Sequence, residues 1–268
     1  MKIFRWIKLL ILFYALLGIG IYYLQDYFLF HPEALQRRQA LNIAEPHREV
    51  NIPVNREENL NIVQFPADTS QGPCRGIVLY FHGNRKNITW YAKYAPAFTR
   101  HGYEVWMADY PGFGKTTGTL TEAKLYADAG LVYQLARTRF GADSILLYGK
   151  SMGTGIAAEL ASRKPAAALV LETPYYSLRS LAQRYFFFYP LKKMLHYEIP
   201  TYDFLPKVAA PILILQGTDD GVVPYSNAAK LKPLLKSGDR FISIEGGSHN
   251  DLSSYPAYRT ALDSVLTR

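Results

Sequence analysis

The chemistry of this chain concentrates at one serine set between two glycines, Gly149-Lys150-Ser151-Met152-Gly153. Gly-x-Ser-x-Gly spacing arises by accident too often to carry weight alone, and its context is what sharpens it. Ile145-Leu146-Leu147-Tyr148 leads in as an apolar strand, and residues 152–163 lead out with helical periodicity. The pentad therefore reads as a nucleophile elbow, a strand-to-helix turn that strains the serine backbone and holds its hydroxyl clear of the sheet. Gly149 and Gly153 remove the side chains that would collide with neighbouring backbone.

A serine hydroxyl is a poor nucleophile until a base removes its proton, and that base needs a carboxylate to orient it. Of the six histidines, His31 and His47 precede the core, His101 comes before a strand, His196 lies in an aromatic insertion and His82 ends a strand. His249 remains, in a loop after the last strand, flanked by Gly246-Gly247-Ser248 and Asn250. For the acid, Gln216-Gly217-Thr218-Asp219-Asp220-Gly221 follows an apolar strand, at the carboxyl edge where α/β sites are built. Either aspartate can serve. An acyl-transfer intermediate also needs donors for its oxyanion. The strand 76–81 ends in His82-Gly83-Asn84, where the turn can aim the Asn84 backbone N–H at a substrate oxygen, and Met152 supplies a second N–H. His82 reads as a brace for that turn, and Arg85 and Lys86 as solvated loop residues.

Other motifs fail on inspection. Gly149-Lys150-Ser151 and Gly114-Lys115-Thr116 look like the end of a phosphate-binding loop, which needs a glycine five residues earlier; Ser144 and Asp109 stand there instead. Asp109 to Gly114 reads as a structural turn and Cys74 as a loop residue.

These groups must be positioned by an alternating pattern. Strand-length apolar runs fall at 77–81, 105–108, 144–148, 168–171, 212–216 and 241–244, preceded by two candidates at 49–54 and 60–65 that can pair as a hairpin. Helical segments fall at 90–100, 121–140, 152–163, 225–235 and 255–267. Near-continuous apolar strands are buried on both faces, so the pattern predicts a mostly parallel, doubly wound α/β sheet. Residues 173–207, rich in Tyr, Phe and Pro, exceed what a simple crossover needs and predict a small cap. Its rings must pack on the core, line an acyl pocket or rest against a bilayer.

Composition bounds the rest. A chain of 268 residues with 49% hydrophobic and 19% charged residues excludes extended disorder. One cysteine excludes an intramolecular disulfide framework and a cysteine-based zinc site. The net charge of +8 is scattered without a basic run or recognition motif, so no nucleic acid partner is expected.

Residues 9–24 carry no charge and follow Lys2, Arg5 and Lys8, which predicts a transmembrane helix in a segment 1–30. Trp6 on one side and Tyr22, Tyr23 and Tyr27 on the other suit the two interfaces. A cleaved signal peptide is the rival reading, but the small pair Gly18 and Gly20 is a weak cleavage signal and stands before more apolar sequence. The early basic residues predict a cytoplasmic N-terminus, with residues 31–268 on the periplasmic or extracytoplasmic side.

The chain resembles the α/β-hydrolase superfamily, and in particular its single-pass, N-terminally anchored members, some of which are esterases and protein depalmitoylases. The resemblance runs from the anchor and the following Tyr-Leu-Gln-Asp-Tyr-Phe-Leu-Phe-His-Pro through His82-Gly83-Asn84, Asp109 to Gly114, Gly149 to Gly153, Gly217 to Pro224 and Gly247 to Asn250. It implies the α/β-hydrolase fold, Ser151 as nucleophile, Asp220 (three residues after Gly217) as acid, His249 as base, and Asn84 and Met152 as the oxyanion hole. No metal or organic cofactor is implied. The expected activity is cleavage of carboxylic esters or thioesters. Alternatives are a peptidase of the serine aminopeptidase type, or a catalytically silent membrane scaffold. A peptidase should offer acids for a substrate terminus, and the cap holds only Glu198 and Asp203.

Overall fold

The computed structural model describes residues 2–267. Its centre is an eight-stranded sheet. Chain order runs from β1 (His31–Pro32) through β2 (Arg48–Pro53), β3 (Asn59–Phe65), β4 (Gly76–Phe81), β5 (Arg85–Lys86) and β6 (Tyr103–Ala108) to β7 (Ile145–Lys150), β8 (Ala168–Glu172), β9 (Ile212–Gly217) and β10 (Arg240–Ile244). The spatial order is β10-β9-β8-β7-β4-β6-β3-β2. From β10 to β6 every pairing is parallel, whereas β3 is antiparallel to both neighbours and forms a hairpin with β2. Every residue of β4, β7, β8 and β9 is buried, as two-sided coverage requires.

One face is covered by α4 (Glu122–Arg137) and α5 (Met152–Arg163), the other by α2 (Ile88–Tyr91), α3 (Pro96–Thr99) and, at the C-terminus, α10 (Pro256–Leu266). The segment that reads as one helix at 90–100 is instead broken. Pro96 has no N–H to donate back to the preceding turn, so α2 runs into a 3₁₀ turn and α3 starts afresh. The segment at 225–235 divides likewise, into α9 (Tyr225–Ala228) and a 3₁₀ stretch containing Pro233.

Residues 173–207 leave β8 as short helices, α6 (Leu178–Ala182), α7 (Leu191–Met194) and α8 (Thr201–Phe204). Ser177 and Ser180 close a reciprocal capping box on α6, and Tyr175 donates to the Met152 carbonyl at 3.0 Å. Tyr185, Phe187 and Phe188 face outward.

α1 (Lys2–Leu29) has 28 residues and is long and apolar enough to cross a membrane. From Tyr14 onward it docks on the cap. Tyr14 stacks on Tyr189 at 4.5 Å, and Gln25 donates to the Met194 carbonyl at 3.1 Å while accepting from the His196 N–H at 2.7 Å. The chain leaving α1 is then tied to the turn after β4. The His31 N–H donates to the Asn84 carbonyl at 2.8 Å, β1 pairs with β5, and the Asn87 side chain donates to the Glu33 carbonyl at 2.8 Å while capping α2 through the Thr89 N–H at 2.9 Å. A two-residue strand pair has no periodicity to reveal it in sequence.

Asn87→Ala removes all three hydrogen bonds of a buried side chain, the third accepted from the Thr89 hydroxyl at 2.6 Å, and is expected to destabilise the protein by about 1–3 kcal/mol. The check is a lowered urea midpoint of the detergent-solubilised chain at unchanged slope. Asn87→Asp keeps the cap acceptor and should recover part of the loss.

Candidate active site

Ser151 joins β7 to α5 with φ 52° and ψ −119°, a left-handed backbone that a non-glycine residue adopts only when its surroundings enforce it. Close backbone approach supplies that enforcement. A Cβ at Gly153 would stand 2.0 Å from the Phe81 carbonyl oxygen, and one at Gly149 would stand 2.5 Å from both the Gly153 oxygen and the Thr154 Cα. The Ser151 N–H donates to the Glu172 carbonyl at 2.8 Å.

Three of the sequence-predicted residues meet here. His249 Nε2 is 2.8 Å from Ser151 Oγ, and His249 Nδ1 is 2.8 Å from Asp220 Oδ2. The other carboxylate oxygen of Asp220 accepts from the Val222 and Val223 N–H groups, each at 2.8 Å, and Gln216 Nε2 donates to Oδ2 at 3.3 Å. Asp220 is buried whereas Asp219 is exposed, its N–H donating to the Gly247 carbonyl at 3.0 Å. The loops bearing acid and base lock together, since a Cβ at Gly217 would lie 2.1 Å from the Gly247 oxygen. Such a chain of hydroxyl, imidazole and carboxylate can transfer a proton from the serine while an acyl group is attacked.

Asn84 lies in the turn that follows β4, and Met152 opens α5, where N–H groups have no intrahelical acceptor. Gly83 brings this turn against Ser151: a Cβ at Gly83 would lie 3.6 Å from the Ser151 Cβ. His82 is fully buried, 3.3 Å from Asp109, and Tyr110 donates to its carbonyl at 2.7 Å. Burial pushes the Asp109 carboxyl above its ordinary range against the opposing pull of His82. A cleft of about 650 Å³ lined by His31, Glu33, Arg85, Lys86, Trp90 and Asn250 opens between this turn and the base loop.

Sequence reasoning missed the polar cluster beneath the elbow. Lys150 and Glu172, both buried, form an ion pair; Tyr148 donates to Glu172, and Tyr258 lies 2.8 Å from Tyr148 and 3.4 Å from Glu172. Lys150 Nζ also reaches the His249 carbonyl at 3.4 Å. Burial, reinforced by the Glu172 charge, raises the Tyr148 and Tyr258 phenols well above their usual range and Tyr94 to about 12. The one available signal was a lysine at the second position of the elbow, next to a strand that ends in an acid.

Residues 72–204 match the family described as serine aminopeptidase, S33. The chain is 32% identical over 219 residues to alpha/beta hydrolase domain-containing protein 17C of Xenopus tropicalis, covering 76% of this chain and 69% of that protein. The human protein of the same name is 30% identical over 197 residues, covering 72% and 58%; the chain thus spans under two thirds of that relative's length. An esterase of Pyrococcus furiosus superposes with a TM-score of 0.66 at 16% identity, covering 90% and 97% of the two chains. A monoacylglycerol lipase of Paleococcus ferrophilus does so at 0.59 and 17%, covering 78% and 98%.

Lys150→Met strands the buried Glu172 charge and is expected to destabilise by about 3–5 kcal/mol. Lys150→Met combined with Glu172→Gln removes that charge and should lie closer to the unsubstituted chain in urea midpoint; equal midpoints for the two variants would refute the coupling.

Proposed function

The chain belongs to the α/β-hydrolase superfamily, and on that premise we propose that it is a membrane-anchored serine hydrolase that cleaves carboxylic esters or thioesters. The observation that carries the reading is the continuous hydrogen-bonded row Ser151–His249–Asp220, 2.8 Å at each step. Ser151 Oγ attacks the acyl carbon as its proton passes to His249 Nε2. Asp220 holds the ring through Nδ1 and stabilises the imidazolium, and the Asn84 and Met152 N–H groups receive the oxyanion. Collapse of the tetrahedral intermediate expels the alcohol or thiol, which takes the proton from Nε2 and leaves an acyl-enzyme. Water then attacks with His249 as base, Nε2 returns that proton to Ser151, and the acid is released.

Two observations favour an ester or thioester over a peptide. The cap's acids are already engaged, Glu198 with Arg179 at 2.9 Å and Asp203 with Lys207 at 2.8 Å, so neither offers an unshared carboxylate to a substrate amino group. The relatives of known fold include an esterase and a monoacylglycerol lipase. An intact triad argues against a silent scaffold.

α1 supplies the anchor. Lys2, Arg5 and Lys8 in its first two turns, against Asp26 and Glu33 around its far end with Arg37 and Arg38 farther along, favour a cytoplasmic N-terminus and an extracytoplasmic catalytic domain.

Ser151→Ala should abolish labelling by a fluorophosphonate probe, and labelling that persists would sink the elbow reading. Turnover of p-nitrophenyl esters, acyl thioesters and aminoacyl amides should rank the amides last. His249→Ala should cut kcat/KM by about four to six orders of magnitude, and Asp220→Asn should be far more damaging than Asp219→Asn. For orientation, C-terminal fusions should give active alkaline phosphatase and dark green fluorescent protein; the reverse pattern would invert the topology.

A further inference from the structure

The docked position of α1 limits how it can cross a bilayer. Among the described residues, its ring contacts and hydrogen bonds to the cap begin at Tyr14, whose hydroxyl donates to the Phe188 carbonyl at 3.1 Å and whose carbonyl accepts from Tyr189. The part ahead of Tyr14, residues 2–13, is about 18 Å long at about 1.5 Å per residue, well short of a hydrocarbon core about 30 Å thick. From Tyr14 to Leu24, the last residue of the uncharged run, the helix climbs about 15 Å. α1 therefore spans a bilayer while docked only if the part of the cap it touches enters the bilayer too.

The cap's surface suits that position. Tyr185, Phe187 and Phe188 are 64%, 74% and 47% exposed, three neighbouring rings that water-facing surface rarely gathers. Arg184, Lys192 and Lys193 flank them, all exposed, and no acid occurs between residues 184 and 197. Long cationic side chains reach from such a depth to lipid phosphates while their stems stay in acyl chains. Tyr14 of α1 donates to the Phe188 carbonyl at the tip, and Gln25 bonds the Met194 carbonyl and the His196 N–H just beyond it, while the N–H groups of Tyr185, Phe186, Tyr189, Leu191 and Lys193 find acceptors within the cap. Those are groups that would otherwise be costly in lipid.

We propose that residues 184–193 of the cap are a second membrane-entering element, which sinks Tyr185, Phe187 and Phe188 into the acyl region of the phospholipid leaflet beside the catalytic domain and sets Arg184, Lys192 and Lys193 at its phosphates. This rests on reading α1 as a membrane anchor. It draws the cleft beside β1 and β5 toward the bilayer surface, so that the enzyme takes acyl groups from lipid-borne substrates.

Spin labelling of the full chain in phosphatidylcholine and phosphatidylglycerol vesicles tests it. In a Cys74→Ser background, single labels are placed through Phe187→Cys or Tyr185→Cys at the tip, Leu12→Cys in α1, and Val222→Cys on the exposed acid loop. Power saturation then compares collision with oxygen, which partitions into lipid, against collision with a water-soluble nickel chelate. The oxygen-to-nickel ratio at 187 and 185 is expected to exceed that at 222 several-fold and to approach that at 12. A tip ratio equal to that at 222, with 12 still lipid-like, overturns the proposal and leaves the anchor standing. Water-like ratios at both 12 and the tip overturn both. Spin–spin broadening at 187 that vanishes on dilution with unlabelled chain assigns the rings to a second copy and overturns it as well.

Discussion

The active-site arrangement depends on a single backbone constraint, the left-handed turn at Ser151. A non-glycine residue held there costs about 1–3 kcal/mol, and the structure sustains it because β4, β7 and α5 approach too closely for any side chain at 149 or 153. Gly153 lies against the Phe81 and His82 carbonyls and Gly149 against the first turn of α5. The same approach brings the turn after β4 beside the serine. Relaxing the elbow would separate the proposed nucleophile from the proposed oxyanion donors as well as from His249.

Around that turn the fold sets each participant at the carboxyl end of a parallel strand. Ser151 follows β7, Asp220 follows β9, His249 follows β10 and Asn84 follows β4. The loops are fixed by one another, as the Gly217 and Gly247 approach and the Asp219 N–H bond to Gly247 show. Beneath them the Lys150–Glu172 pair, with Tyr148 and Tyr258, fills the interior between β7, β8 and α10 and reaches the His249 carbonyl. The turn after β4 has a different support, because β1, arriving directly from α1, pairs with β5. The apolar helix and the candidate site are consequently parts of one mechanical unit.

Much of this was legible in the amino-acid order. The strands of the central sheet were recognisable because burial on both faces imposes apolar runs such as Ile145-Leu146-Leu147 and Ile212-Leu213-Ile214-Leu215. The glycines of the elbow and the loop around His249 pointed to the site because close backbone approach restricts residue type. Helix continuity was less visible: Pro96 and Pro233 break segments whose apolar spacing is otherwise helical. The buried Lys150–Glu172 pair was not legible, since a lysine in a loop motif reads as solvated until the neighbouring strand is known. Nor was the choice between Asp219 and Asp220 open to the residues alone. It turns on which carboxylate receives the Val222 and Val223 N–H groups, a property of the turn and not of composition.

The central claim is that Ser151 becomes covalently acylated during turnover. Mixing the full chain in detergent with a slowly deacylated p-nitrophenyl ester, quenching in acid and mapping the digest by tandem mass spectrometry measures this directly. The expected result is one acyl group per chain, carried on the peptide containing Ser151, formed with the same rate constant as the nitrophenolate burst. An acyl group on any other residue, or a burst with no acylated peptide, would contradict it.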